Sequence, residues 1–219
     1  MTILKYAKID FLRLRQMTLM LLLFPVLAVF INVRSPGDSF VFSFSYCTFM
    51  GIVIASIPFQ RETSQEAGFL SMLPSRKGDD VRGHFLFGFL SVCVGFATAC
   101  VALGISVLIS PAVRRTVAEN GPDVRPILLL FAAALLLTGI QNLMLSFFRF
   151  NSSRGMAILR LAPAFLFFFG AGYLSDSAWF ADMLKFLSSH VVCAAVFLIS
   201  LVLYAGAAQL GVRHSVRKR

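Results

Sequence analysis

The sequence predicts an all-α integral membrane protein with six transmembrane helices, and three observations carry that expectation. Hydrophobic residues make up 58% of the chain and charged ones only 14%, where a soluble domain carries about 25% charged residues. The apolar residues fall in unbroken runs rather than in stripes, and a run of about 20 is what a helix needs to cross the hydrocarbon core. The basic residues gather at alternate ends of those runs. Helices are the expected element because lipid leaves an open chain no other way to satisfy its backbone. The whole chain, 1–219, reads as one transmembrane domain.

Residues 1–16 read as an interfacial helix. Leu4, Ala7, Phe11 and Leu14 fall on one face at helical spacing, while Lys5, Lys8 and Arg15 lie elsewhere. The stretch "VLAVFINVRS" offers no small-residue cleavage site, so this start is expected to stay on the protein. The spans follow at about 17–33, 40–59, 85–109, 127–148, 157–174 and 188–210. The fifth has only 14 uncharged residues, 161–174, and must be extended back through Arg160.

The basic residues set the orientation. With both termini in the cytoplasm, 15 of the 20 Lys and Arg lie on that side and 5 on the other, as the positive-inside rule favours. The outer connections are short: about 34–39, 110–126 and 175–185. The middle one holds "ENGPDVRP", which reads as turns. The net charge of +10 is then spread over membrane edges. It fits attraction to anionic lipids of the inner leaflet rather than binding of nucleic acid, for which no segment outside the membrane is large enough.

Several chemistries find no support. Cys47, Cys93, Cys100 and Cys193 all fall inside spans without metal-site spacing and read as small buried hydrophobes. His84, His190 and His214 lie near span ends and read as interfacial residues. No nucleophile–base or metal motif is present. The dipeptide GK does not occur, so there is no phosphate-binding P-loop and no cofactor is expected in this chain. Apart from Arg160, no span holds an ionisable residue at mid-depth, where coupled pumps commonly place one. Energy for uphill movement is expected from another chain.

The longest connection on the cytoplasmic side, 60–83, is organised. Thr63 followed by Glu66 is a capping-box pattern that starts a helix. Phe69, Leu70, Met72 and Leu73 give that helix an apolar side, and Pro74 stops it. Ser75, Asp79 and Asp80 favour the start of the helix that becomes the third span. An apolar side exposed on a cytosolic helix needs a cover, either lipid headgroups or a partner protein.

The stretch "GFLSMLPSRKGDDVRGHFLF" resembles the connection between spans two and three of permease subunits of type-2 (ABC-2) ABC exporters, a six-span family with both termini inside. That family's pattern is an acidic residue, a short apolar helix and "LP-small-R-K/R", supplied here by Glu66, Phe69, Leu70, Leu73, Pro74, Ser75, Arg76 and Lys77. The resemblance implies that these residues form a coupling helix seated on a separate ATP-binding subunit. ATP and Mg²⁺ would sit on that subunit, and the start of the chain would correspond to the family's connector helix. It further implies alternating access in the plasma membrane of a bacterium, with a second permease copy or a sister permease. Gly78-Asp79-Asp80 departs from the family pattern by being more acidic and more flexible.

A cargo path has two candidate linings. Thr138, Asn142 and Ser146 repeat every four residues in the fourth span, with Gln141 beside them. The second span holds Phe42 and Tyr46 in an aromatic-rich stretch, and the fifth holds Phe165, Phe167, Phe168 and Phe169. Aromatic walls suit an amphipathic or hydrophobic cargo, such as a peptide toxin, antimicrobial peptide, lipid or drug. Interhelical hydrogen bonding and lipid-facing filler are the plainer readings. Gly51–Ala55, Gly95–Ala99 and Ala207–Gly211 are small-residue pairs that permit close packing, inside the subunit or between subunits. A non-transporting membrane scaffold and a membrane-embedded lipid enzyme are the competing functions. The missing cluster of His, Asp or Glu at a membrane edge disfavours the enzyme.

Overall fold

The computed structural model describes residues 2–13, 18–36, 39–58, 78–120, 124–147, 154–175 and 189–218. The all-helical expectation holds: among the described residues there are eight helices and no strand. They are α1 (Thr2–Arg13), α2 (Thr18–Arg34), α3 (Ser39–Ala55), α4 (Asp79–Ile109), α5 (Pro111–Asn120), α6 (Val124–Phe147), α7 (Arg154–Ser175) and α8 (His190–Lys218). Three stretches are long and apolar enough to cross a membrane: Asp79–Ile109, Ile127–Phe147 and Val191–Val216. Shorter apolar helical stretches lie at Pro25–Arg34, Ser43–Ala55 and Leu161–Gly170. The chain is thus a multi-pass membrane protein.

The longest helix, α4, is the hub. It packs against α1, α2, α3, α5, α6 and α8, while α6 pairs with α8 and α3 with α7. Its start is written in "KGDD". Gly78 caps it in the left-handed region, with φ 91° and ψ −3°, where a glycine meets no Cβ penalty. The Gly78 carbonyl accepts the Arg82 N–H at 3.1 Å. Asp79 and Asp80 occupy the first turn and favour the positive end of the helix dipole.

Two glycines set the α3–α4 distance. A Cβ on Gly51 would lie 2.8 Å from the Ser91 carbonyl oxygen, and one on Gly95 would lie 2.6 Å from that of Cys47. The backbones therefore touch, as small-residue contacts between membrane helices allow. Gly211 likewise packs inside the subunit, 3.2 Å from Phe85 at its would-be Cβ. Above this crossing, aromatic rings link the bundle. Phe96 of α4 meets Phe44 of α3 at 5.2 Å and Phe131 of α6 at 4.6 Å, and Phe131 meets Phe197 of α8 at 5.6 Å.

The far end of α4 adds an element that the sequence reading did not contain. Within the connection 110–126, whose residues 119–126 read as turns, Pro111–Asn120 forms the helix α5. Ser110 breaks α4 with extended angles, and its hydroxyl then accepts the Val113 N–H at 3.4 Å. Pro111 follows at the first helical position, where its missing N–H is no loss. The Arg114 guanidinium turns back to donate to the carbonyls of Val107 and Leu108 at 3.3 and 3.4 Å. This places a cation on the negative end of α4. A serine cap and a proline start are local signals for this helix, and they stand ahead of the stretch read as turns.

Candidate functional site

The cluster with most chemistry surrounds the first turns of α4, where α1 and the last turns of α8 converge on it. Gly83 leaves the approach open for α1, since a Cβ there would lie 2.5 Å from Tyr6 Cβ. One residue on, His84 Nδ1 lies 2.7 Å from Asp10 Oδ2. Both residues are buried, His84 0% and Asp10 3% exposed. A polar pair so far from water must satisfy itself. Here each side chain supplies the other, across 74 positions of sequence.

This pair adds to two readings. His84, placed near a span end by the sequence, is buried within the protein, and of the apolar face expected for α1 only Ala7 turns inward among the described residues. The packed face of α1 is Tyr6, Ala7 and Asp10, all buried, whereas Leu4 is 71% and Phe11 59% exposed. Leu14 lies outside the described residues. Close approach at Gly83 and the Asp10–His84 bond together select the polar-containing face. The apolar Leu4, Phe11 and Leu12 are left outward beside exposed Lys5 and Lys8, a composition suited to an anionic membrane surface. Sequence periodicity ranks apolar residues and cannot see a partner for Asp10.

On the other side, α8 grips the same turns. The Tyr204 hydroxyl donates to the Phe85 carbonyl at 2.6 Å, and the two rings meet edge to face at 5.7 Å. Val81, Phe85, Leu145, Tyr204 and Val212 form one buried cluster. Asn142 of α6 reaches the same place. A Cβ on Gly88 would lie 2.5 Å from Asn142 Nδ2 and 3.0 Å from the Tyr204 hydroxyl.

A second polar knot closes the opposite half of the bundle, and nothing in the sequence singled it out. Asn32 of α2 donates from Nδ2 to Ser43 Oγ at 2.6 Å and to Ser106 Oγ at 3.1 Å. Ser106 in turn donates to the Ala102 carbonyl at 2.8 Å. All three side chains are buried, so α2, α3 and α4 are tied by groups that have no water to fall back on.

The sequence-predicted site residues fare unevenly. Glu66, Phe69, Leu70, Leu73, Pro74, Ser75, Arg76 and Lys77 lie outside the described residues. Phe42 belongs to α3, and its side chain is also outside them. Thr138, Gln141 and Asn142 are 0% exposed and Ser146 is buried with them. Thr138 Oγ1 donates to the Ala134 carbonyl and Ser146 Oγ to that of Leu143, each at 2.7 Å. Asn142 and Ser146 face α8 through Tyr204 and Gly211 respectively. Tyr46 is not brought to them. It groups with Ile127 and Leu130 and meets Phe168 of α7 at 6.4 Å. Phe49 extends that aromatic contact to Phe165 and Phe168 at 5.5 and 5.6 Å.

The described residues thus form an all-helical, multi-pass membrane bundle hung on one long helix, with a short helix fastened to that helix's first turns. The chain belongs to the ABC-2 family of transporter proteins, whose pattern, described as "ABC-2 family transporter protein", matches residues 7–212. The match runs from α1 almost to the end of α8, so it covers both the hub and the helices that hold it. No curated protein and no solved structure matches the chain.

Proposed function

We propose that this chain is the permease subunit of an ATP-driven exporter in a bacterial plasma membrane. It has six spans and both termini in the cytoplasm, and it works by alternating access. A separate ATP-binding subunit, holding ATP and Mg²⁺, seats the short coupling helix ahead of Pro74 in the connection 60–83, and a second permease copy or a sister permease completes the assembly. The observation that carries this reading is the family match over residues 7–212. The Asp10–His84 pair fits it by fastening α1 to the first turns of α4, the helix that follows the coupling connection.

ATP-driven closure of the partner would press on Phe69, Leu70 and Leu73. The push would pass to α4, and α4 touches six of the seven other described helices. Thr138, Gln141, Asn142 and Ser146 line the proposed path, closed in this conformation. Tyr46 and the α3–α7 aromatics form a second, separate apolar surface, and Phe42 stays a candidate from the sequence alone. Such surfaces suit an amphipathic or hydrophobic cargo.

Phe69→Asp and Leu73→Asp test the reading. Each is expected to abolish co-purification with the ATP-binding subunit, or to leave ATP turnover unlinked to the permease. Normal assembly with permease-stimulated ATP turnover in both variants would contradict it. A wild-type chain that retains no ATP-binding subunit would favour the scaffold instead.

A further inference from the structure

Four arginines that the sequence assigns to the outer side come together at one end of the bundle. Arg34 closes α2, Arg114 and Arg115 lie in α5, and Arg125 stands in the first turn of α6. The Asn32–Ser106 bond holds the last turn of α2 beside the last turns of α4, and α5, which follows α4, touches α2. Ile127 and Leu130 pack with Ala28 and Ala102, so α6 begins at the same end. Arg34, Arg114 and Arg115 are exposed. Among the described residues none of these three pairs with a carboxylate, and the one acid at this end, Glu119, is itself exposed.

The break at Ser110 aims two of the arginines. Val113 is buried and seats α5 on the bundle, which turns Arg114 and Arg115 outward. Arg114 donates to the Val107 and Leu108 carbonyls and keeps the rest of its five-donor fork for another acceptor. Beneath it α4 shows an exposed apolar stripe of Val101, Ile105 and Leu108, the last 76% exposed. Gly104 leaves open space on that stripe, with nothing within 4 Å of its would-be Cβ. On α2, Phe30 and Val33 are likewise exposed ahead of Arg34.

Guanidinium groups above an apolar stripe match one phospholipid molecule, its phosphate above and its acyl chains below. All four basic residues are arginine, whose planar fork meets a phosphate with two parallel bonds. Placing them on the outer side also runs against the bias that orients the chain, so their gathering there has to be offset by an anion.

We propose that this end of the bundle is a binding site for anionic phospholipid of the outer leaflet. Arg34, Arg114 and Arg115 share the phosphate, and the acyl chains run along Val101, Gly104 and Leu108. The bound lipid neutralises the arginines and holds α5 at headgroup depth. The proposal rests on the orientation with both termini in the cytoplasm and is independent of how the coupling connection works.

The test uses the full chain, with its native cysteines replaced, in phosphatidylcholine vesicles. A bimane label on Leu108→Cys reads how often brominated acyl chains lie against that position. Brominated phosphatidylglycerol is expected to quench it about threefold more than brominated phosphatidylcholine at the same share of lipid. A label on Val202→Cys, exposed midway along α8, should show no preference. Arg34→Gln/Arg114→Gln/Arg115→Gln should abolish the preference at Leu108. If that variant does not fold, Arg34→Gln/Arg115→Gln, which leaves the Arg114 bonds to α4 intact, should cut it by about half or more. Equal quenching by the two lipids in the parent, a like preference at Val202, or a preference that survives the variants overturns the site. Cysteines at Arg115 that cross-link two copies, with no lipid preference, would give the face to a second copy and overturn it too. The side is checked separately with an impermeant thiol reagent on Arg115→Cys in intact cells, where labelling is expected. Protection until the membrane is opened overturns the orientation instead, whatever the lipids do.

Discussion

The His84 ring and the Asp10 carboxylate meet at 2.7 Å with almost no exposure, joining the first helix to the fourth. Removing either one takes a hydrogen-bond partner from the other where water does not reach. Asp10→Ala and His84→Leu are each expected to cost about 2–5 kcal/mol, the range for breaking a buried polar or charged pair from one side. The double variant should cost clearly less than the two singles added, because both singles break the same contact. Thermal unfolding in detergent gives the cycle. Strict additivity would show that the contact contributes nothing of its own.

The α3–α4 crossing separates tight glycines from idle ones. Gly95→Ala forces a methyl to within 2.6 Å of the Cys47 carbonyl and should destabilise by about 1–3 kcal/mol, as overpacking does. Gly104→Ala meets nothing within 4 Å. It should leave stability unchanged or raise it by up to about 1 kcal/mol, because alanine is the better helix former. Equal effects at the two positions, measured by the same unfolding assay, would contradict the close crossing.

Asn32 ties three helices through two serines. Asn32→Ala is expected to cost about 1–3 kcal/mol, since Ser43 loses its buried partner. Hydrogen exchange should rise together in the ends of α2, α3 and α4 that meet there. Exchange confined to α2 would argue that the knot does not bind them as a unit.

The apolar helices were legible because they follow from composition: a run too apolar for water has one backbone solution in lipid. The start of α4 was legible too, in Asp79 and Asp80 ahead of an apolar run. What joins the helices was not. Asp10 reads as one acid in a basic helix, and His84 as one histidine near a span end. Their meeting depends on Gly83 letting α1 come close, and no local pattern encodes that. Asn32, Ser43 and Ser106 are hidden for the same reason, as isolated polar residues in three different runs. α5 was missed on other grounds: its cap and proline were present in the sequence, but only residues 119–126 of that connection were read, as turns.

The side of the short helix ahead of Pro74 that carries Phe69, Leu70 and Leu73 bears the central claim, and photo-crosslinking reads its neighbour directly. A photoreactive residue placed at Phe69 or Leu73, in membranes containing the assembled transporter, should form an adduct with the ATP-binding subunit. Adducts with lipid alone, or labelling of these positions by reagents applied from outside the cell, would contradict it.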